Sequence, residues 1–340
     1  MAAGAKRSKR KDSRLKKWAI QIFKFGLVAV LLLILARKGF LDLERTAHSL
    51  SRLEFMGPAF LLLTIAAVLG IVRWKWLLGS QGIEMGFGRI FQLAMVGNFF
   101  NIALPGAVSG DFVKAIYIAR EVPGSRAKAF GSILFDRLVG LSALVFLSAG
   151  MTLADRSEIA GTGLFPAVRL FILVPALIFL ISYGYLFFIT EKRDPVLKIL
   201  VATEDRWERF GSVTRIYQGL REYHHHRGVV LLSVASSILI HALVAGANTF
   251  FLKALGVSVT AVMAIWIIVP IGLLFTAIPL GPAGVGTGHM AFSWLFQFLG
   301  TDRGADCFSL FALFQILFGL LGGLVYLQFR SGGVFEEAVE

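Results

Sequence analysis

Long apolar runs alternate with short polar segments along most of the chain. A helix of about 20 apolar residues crosses a hydrocarbon core of about 30 Å, and each of these runs reaches about that length. The runs cover residues 18–36, 55–78, 129–153, 168–190, 229–252 and 305–329. The pattern therefore predicts an all-α polytopic membrane protein with about six full spans. We expect the first of them to be a retained helix and not a cleaved signal peptide.

Another apolar stretch, 90–104, is too short to cross. At about 1.5 Å per residue it makes a helix of about 22 Å, and the Pro105-Gly106 pair that follows disfavours its continuation. The chain then returns as a limb from Ser109 to Glu121, in which apolar and charged residues alternate at helical spacing. Non-helical backbone at this depth must be buried in protein or line a wet cavity. We therefore predict a re-entrant helical hairpin.

A second interrupted stretch, 259–300, repeats this device and starts from the opposite face of the membrane. Two oppositely directed broken segments in corresponding halves indicate an inverted repeat with a substrate site near the midplane. Residues 259–278 are also long enough to span, so two full crossings stay an alternative. The residues expected to hold the structural breaks are Pro105, Gly106, Gly110, Pro279, Gly281, Pro282, Gly284 and Gly286.

Basic residues are distributed unevenly between the two sides of the predicted helices. The formal net charge is +13, and most of the 34 Lys and Arg residues fall on the side of the N-terminal tail. Because basic loops stay on the cytoplasmic side, we expect both termini in the cytoplasm and the protein in the inner (plasma) membrane. The basic tail, 1–17, is expected to attract anionic lipids. The charge thus reflects topology, and nucleic-acid binding is a poor alternative.

A single transmembrane domain, 18–330, is predicted, followed by a C-terminal tail, 331–340. Hydrophobic residues make up 56% and charged residues 16% of the sequence, which is typical of integral membrane proteins. The longest polar segment, 191–228, is shorter than a typical domain and is expected to form a cytoplasmic amphipathic loop. No soluble catalytic domain, cofactor site or metal site is predicted, and "GVGTGH" lacks the last glycine of a dinucleotide-binding fingerprint.

Charged residues inside the apolar runs are the strongest functional signal. Each costs roughly 2.5 to 3.5 kcal/mol at a helix centre on insertion scales. "FGSILFDRLVGL" places Asp136 and Arg137 inside their helix, where adjacent residues point in different directions and cannot simply neutralise each other. Asp111, Lys114 and a lipid phosphate are the candidate partners. We expect all four side chains to line a polar groove; a structural salt bridge or snorkelling toward the interface is the alternative.

Neutral polar residues are further candidates for substrate binding. Asn98 and Asn101 flank the tip of the first hairpin and carry amide donors for a headgroup, whereas interhelical amide bonds are the alternative. His241 lies near the middle of the run 229–252, and His289 opens the last limb of the second hairpin. A buried histidine can carry a proton, but helix packing is the commoner role.

Three blocks of the sequence resemble a known family. "NFFNIALPGAVSGDFVKA", "FDRLVGL" and "AIPLGPAGVGTGHMAF" are similar to the signature blocks of the lysylphosphatidylglycerol synthase transmembrane region family, which is also called flippase-like. In larger relatives a soluble aminoacyl-transfer domain makes lysylphosphatidylglycerol and the membrane part moves it across the bilayer; other relatives join a glycosyltransferase. Many members end the last block with an Arg-Glu pair, where this chain has Gly288 and His289.

Together, the charged residues and the resemblance imply a transporter that moves a phospholipid or a lipid-linked headgroup through a polar groove near the midplane. Arg137 is expected to bind the phosphate, because a guanidinium offers a planar fork of donors. A membrane-embedded transferase that modifies an aminoacyl or glycosyl lipid is one alternative. The other is a membrane subunit whose partner is a separate soluble transferase.

Overall fold

The computed structural model describes residues 43–103, 109–154, 165–207, 211–258, 262–276 and 284–331. Within these ranges the regular structure is helical, with short 3₁₀ turns at Glu191–Arg193, Glu222–His226 and Gln297–Leu299. The α-helices are α1 (Leu43–Ser51), α2 (Leu53–Ser80), α3 (Phe87–Ala103), α4 (Ser109–Glu121), α5 (Arg126–Ala154), α6 (Phe165–Phe188), α7 (Pro195–Arg206), α8 (Gly211–Arg221), α9 (Arg227–Ala254), α10 (Val262–Thr276), α11 (Thr287–Phe296) and α12 (Gly304–Ser331).

Five of the described helices contain a stretch long and apolar enough to cross a membrane. They are α2, α5, α6, α9 and α12, and they contain the predicted spans 55–78, 129–153, 229–252 and 305–329 together with most of 168–190. These five predictions, and with them the polytopic helical membrane fold, are confirmed. The predicted first span, 18–36, and the predicted tail before it lie outside the described residues.

The first interrupted stretch folds as two short helices that pack against each other, as the predicted hairpin requires. At about 1.5 Å per residue, α3 and α4 are about 25 Å and about 20 Å long, so neither crosses the core alone. Gly110 lies so close to α3 that an added β-carbon would overlap the carbonyl oxygen of Gly97. The closest contact between the two limbs therefore depends on glycine. Pro105 and Gly106 lie outside the described residues.

The second interrupted stretch also divides into two short helices. The described part of α10 is about 22 Å long. α11, whose two ends are both described, is about 15 Å long and too short to cross the core, which favours a broken hairpin over the two full crossings that the length of 259–278 allowed. Gly284 has a φ of +72° and lies against Thr276, and Gly286 has a φ of +95° immediately before α11. Residues with a β-carbon rarely adopt such angles. Three other predicted break residues lie outside the described residues: Pro279, Gly281 and Pro282.

The most extensive helix contact joins α2 and α9, which run antiparallel. Just before α2, the Arg52 guanidinium donates to the carbonyl oxygens of Lys253 (2.9 Å) and Ala254 (3.2 Å) at the end of α9. Near the other end of α2, Arg73 Nη1 donates to Ser237 Oγ (2.6 Å) in the first half of α9. The two helices thus hold each other near both ends.

Helix contacts repeat between the two halves of the chain. α3 packs on α12, where Gly322 lies against the backbone of Met95, and α10 packs on α5, where Ser148 Oγ donates to the carbonyl oxygen of Ile267 at 3.3 Å. The second limbs do the opposite: α4 lies on α5 and α11 lies on α12. With α2 and α9 antiparallel, this exchange of contacts is the pattern expected of the predicted inverted repeat.

A buried ion pair joins two parts of the polar segment 191–228 beside the end of α6. Asp194 and Arg221 are both almost fully buried, and Arg221 Nε lies 3.1 Å from Asp194 Oδ2. The hydroxyls of Tyr185 and Tyr217 donate to the same carboxylate at 2.6 Å and 2.9 Å. Burial opposes ionisation of Asp194, but these bonds, a backbone N–H and the Arg221 charge hold its pKa below the ordinary value.

Replacing Asp194 by Asn is expected to lower the free energy of unfolding at neutral pH by about 3 to 5 kcal/mol, because the buried Arg221 charge loses its partner. A lowered carboxyl pKa adds stability that is fully present above the unfolded-state pKa of about 3.9 and is lost as pH falls through the lower folded-state pKa. The difference between wild type and variant should therefore shrink in strong acid.

Thermal unfolding of the purified protein in detergent, followed from neutral to acid pH, measures both effects. Asp205→Asn is the matched control, because Asp205 is an exposed carboxylate on α7. Equal melting of Asp194→Asn and wild type at neutral pH would contradict the expected role of the ion pair.

Candidate functional site

A cavity of about 330 Å³ lies between helices of both halves. Apolar side chains from α2, α9 and α12 form much of its wall. Polar and charged side chains complete it: Arg73, Trp74, Asn98, Asn101, Lys114, Asp136 and Gln315. Two of these residues come from α2, two from α3, and one each from α4, α5 and α12. A cavity with charged and polar side chains on its wall, inside apolar helices, is the feature that the sequence predicts for a substrate site.

Arg73 and Asp136 form a bidentate ion pair on one side of the cavity. Arg73 Nε lies 2.8 Å from Asp136 Oδ1, and Arg73 Nη2 lies 2.9 Å from Asp136 Oδ2. The Arg73 side chain is about one-tenth exposed (10%), and its Nη1 donates to Ser237 on α9. This geometry uses the planar donor fork that distinguishes arginine from lysine. The pair therefore joins α2, α5 and α9.

Asp111 pairs with two cations at the start of α4. Its Oδ1 lies 2.7 Å from Lys114 Nζ, and its Oδ2 accepts a hydrogen bond from Arg137 Nε. The Asp111 side chain is almost completely buried, whereas the Arg137 side chain is about one-third exposed (36%). The carboxylate thus links the return limb of the first hairpin to α5, and its charge suits a helix N-terminus.

Lys114 connects the hairpin to α2. Its ammonium nitrogen lies 4.8 Å from the centre of the Trp74 ring, within the range of a cation–π interaction. Its aliphatic stem fills the space beside Gly97, where an added β-carbon would come within 2.8 Å of Lys114 Cδ. Lys114 therefore reaches the cavity because Gly97 leaves room for it.

The two asparagines lie where the sequence predicts, near the tip of the hairpin. Asn101 Oδ1 accepts a hydrogen bond from the Gly110 N–H at 2.9 Å, and Ser109 Oγ donates to the Phe100 carbonyl at 2.9 Å. These bonds join α3 to the first turn of α4, which is the interhelical role named as the alternative. Both Asn98 and Asn101 also line the cavity.

The predicted histidines do not line the cavity. His241 Nε2 lies 3.0 Å from the carbonyl oxygen of Gly140, so the ring joins α9 to α5. His289 is buried between α11 and α12, with Nε2 3.1 Å from Ser309 Oγ and Nδ1 accepting from the Gly286 N–H at 3.4 Å. Both placements match the helix-packing alternative.

Four predicted residues therefore meet in the cavity wall: Asn98, Asn101, Lys114 and Asp136. Asp111 contacts this set through Lys114. The expectation that adjacent Asp136 and Arg137 turn to different partners agrees with the structure, since one pairs with Arg73 and the other with Asp111. Binding of a phosphate by Arg137 stays a prediction.

Arg73, Trp74 and Gln315 line the cavity but were not among the predicted site residues. Arg73 carries the same signal as Asp136, because it is a charged residue within the apolar run 55–78. Because Arg73 lies near the end of that run, its charge was attributed to the basic residues on the cytoplasmic side, such as Lys75 and Arg89. Nothing in the local pattern around Trp74 or Gln315 distinguishes them from ordinary packing residues.

Comparison with known proteins gives the family. Residues 21–329 match the family model described as lysylphosphatidylglycerol synthase TM region. The chain belongs to this family. The predicted resemblance is thereby confirmed, and the match includes both broken hairpins and all five described spans. The family is a lipid-related one, so the cavity belongs to a lipid-related membrane protein.

One relative is UPF0104 membrane protein PH1989 of Pyrococcus horikoshii, which is 28% identical over 181 residues. The aligned part covers 50% of this chain and 52% of that protein. The chain therefore spans about half the length of this curated relative. No solved structure matches the chain.

Breaking the Arg73–Asp136 pair from either side is expected to destabilise the fold. Arg73→Met and Asp136→Leu should each lower the free energy of unfolding by about 3 kcal/mol or more, because each leaves one buried charge without its partner. The double variant Arg73→Met/Asp136→Leu removes both charges, so it should be more stable than either single variant. Thermal unfolding in detergent compares the three proteins with wild type.

The pair Arg89–Glu121 at the open end of the hairpin is the control, since its side chains are 29% and 25% exposed. Breaking it should cost about 1 kcal/mol or less. If the decrease in the free energy of unfolding of the double variant Arg73→Met/Asp136→Leu equals the sum of the two single decreases, the two charges are not coupled.

Proposed function

We propose that this protein translocates a phospholipid or a lipid-linked headgroup across the membrane. The observation that carries the proposal is the cavity of about 330 Å³, lined by Arg73, Lys114 and Asp136, within helices long enough to span a bilayer. Ionised side chains at such depth mark substrate or ion pathways by default. Membership of a lipid-related family supports a lipid as the substrate.

The size of the cavity suits a headgroup and not a whole lipid. Binding pockets for small ligands have volumes of about 300 to 1,000 Å³, so this cavity is at the small end of that range. In the proposed mechanism the polar headgroup enters the cavity while the acyl chains stay in the bilayer. Arg73 and Lys114 would then face the phosphate, and the Asn98 and Asn101 amides would bond other headgroup oxygens or hydroxyls.

The first hairpin is the element that separates the cavity from one face of the membrane in this proposal. Its return limb is tied to α5 by Asp111 and to α2 by Lys114. Because α4 is too short to span, it can shift against α5 without crossing the bilayer. We place the protein in the inner (plasma) membrane with both termini cytoplasmic, on the basis of its Lys and Arg distribution.

A lipid-translocation assay in liposomes tests the proposal. Wild-type protein should move fluorescent phosphatidylglycerol between leaflets faster than protein-free vesicles, as measured by chemical quenching of the outer leaflet. Lys114→Met removes the ammonium and keeps a chain of similar length, so it should slow translocation about tenfold, as expected for a lost hydrogen bond to a charged group.

Lys128→Met is the matched control, because Lys128 is an exposed lysine on α5 that does not line the cavity. It should translocate at the wild-type rate. A wild-type rate equal to that of empty vesicles, with phosphatidylglycerol and other membrane phospholipids supplied in turn, would overturn the proposed function.

A further inference from the structure

Positive charge exceeds negative charge around the cavity. The cluster consists of three cations, Arg73, Lys114 and Arg137, and two carboxylates, Asp111 and Asp136. Its net charge is therefore one positive charge. An excess charge that is mostly buried interacts more strongly with whatever enters than a fully exposed charge does, because water and salt screen it less.

Both carboxylates are already occupied by cations. Asp136 uses one oxygen for Arg73 Nε and the other for Arg73 Nη2. Asp111 uses Oδ1 for Lys114 and Oδ2 for Arg137. A cationic headgroup would therefore meet carboxylate oxygens that each already face one of the three positive groups.

Arg73, in contrast, has hydrogen-bond donors that its bonds to Asp136 and Ser237 do not use. A guanidinium has five N–H groups, and Arg73 uses three of them in these bonds. Because Arg73 lines the cavity, its side chain suits an acceptor such as a phosphate oxygen.

We propose that the cavity selects a lipid phosphate of net negative charge and disfavours an aminoacylated, cationic headgroup. This inference names the substrate class of the proposed function and depends on it for the placement of the lipid. The phosphate oxygens accept from Lys114 and Arg73 at the cavity wall. The ligand thereby neutralises the excess charge.

Charge selection is confined to the first half of the chain. Neither α10 nor α11 contains Asp, Glu, Lys or Arg. His289, in the first turn of α11, contacts the Ser309 hydroxyl and does not line the cavity. The second hairpin therefore adds no charge that would offset the positive excess.

A matched pair of lipids tests the selection directly. Phosphatidylglycerol carries one negative charge, and its lysyl ester keeps the same phosphate but adds two ammonium groups. The purified full-length chain is mixed with equal amounts of both lipids in detergent, and native mass spectrometry counts the lipid retained. We expect at least about tenfold more phosphatidylglycerol than lysylphosphatidylglycerol. Equal retention, or a preference for the lysyl ester, would overturn the proposal.

Two variants locate the binding. Lys114→Met should lower retention about tenfold, and Lys114→Arg, which keeps the charge, should restore most of it. Wild-type retention by the folded Lys114→Met variant would show that the ammonium does not bind the phosphate and would overturn that assignment.

A further arm replaces the lipid by inorganic phosphate. Stabilisation of the protein by inorganic phosphate, with no retained phosphatidylglycerol, would assign the cavity to a free anion and overturn the lipid. The binding readout is independent of transport. Anionic selection without translocation in liposomes would refute the proposed function alone, and equally fast translocation of both lipids would refute the inference alone.

Discussion

An ionised side chain within apolar helices must find a partner of opposite charge, and this constraint organises the structure. Arg73 meets it with both oxygens of Asp136, and Asp111 meets it with Lys114 and Arg137. Each of these bonds except the one within α4 crosses from one helix to another. The charged groups therefore fix how α2, α4, α5 and α9 meet, and the cavity lies where they do so. Stability and the candidate site thus share the same atoms.

Short helices inside a membrane protein impose a second constraint, because their ends expose backbone groups that lipid cannot satisfy. The first hairpin solves this locally: the Asn101 side chain accepts from the Gly110 N–H, and Ser109 donates to the Phe100 carbonyl. Glycine permits the approach that these bonds need, since a β-carbon at Gly110 would overlap the Gly97 backbone. The first limb of each hairpin also packs on the last helix of the opposite half.

Hydrophobic length and helix breakers were sufficient to predict five spans and the division of both interrupted stretches. They work because the bilayer fixes the length of a crossing helix, whatever the helix packs on.

The partner of a charged side chain, in contrast, could not be predicted from the sequence pattern. The Asp136 partner lies 63 residues away on another helix, and no spacing rule predicts such a contact. Arg73 was overlooked because a charge near the end of an apolar run has the same pattern as an interfacial anchor. The direction in which a side chain faces was equally hard to predict. The His241 ring contacts the carbonyl oxygen of Gly140 and does not line the cavity.

The helix contacts repeat in the two halves, whereas the charged cluster occurs only in the first half, and this difference matters for the proposed transport. In the proposed transporter, antiparallel α2 and α9, with the exchanged contacts of the two hairpins, would allow two states of equal architecture that open to opposite faces, as inverted repeats do. Recognition needs no such symmetry, and here the charged groups lie on α2, α4 and α5 of the first half. A phosphate held by Arg73 and Lys114 would compete with Asp136 and Asp111 for the same cations. Binding would thereby weaken the Arg73–Asp136 link between α2 and α5 and release Lys114 from Asp111 within α4, so substrate recognition and the contact between α2 and α5 would be coupled through one carboxylate, Asp136.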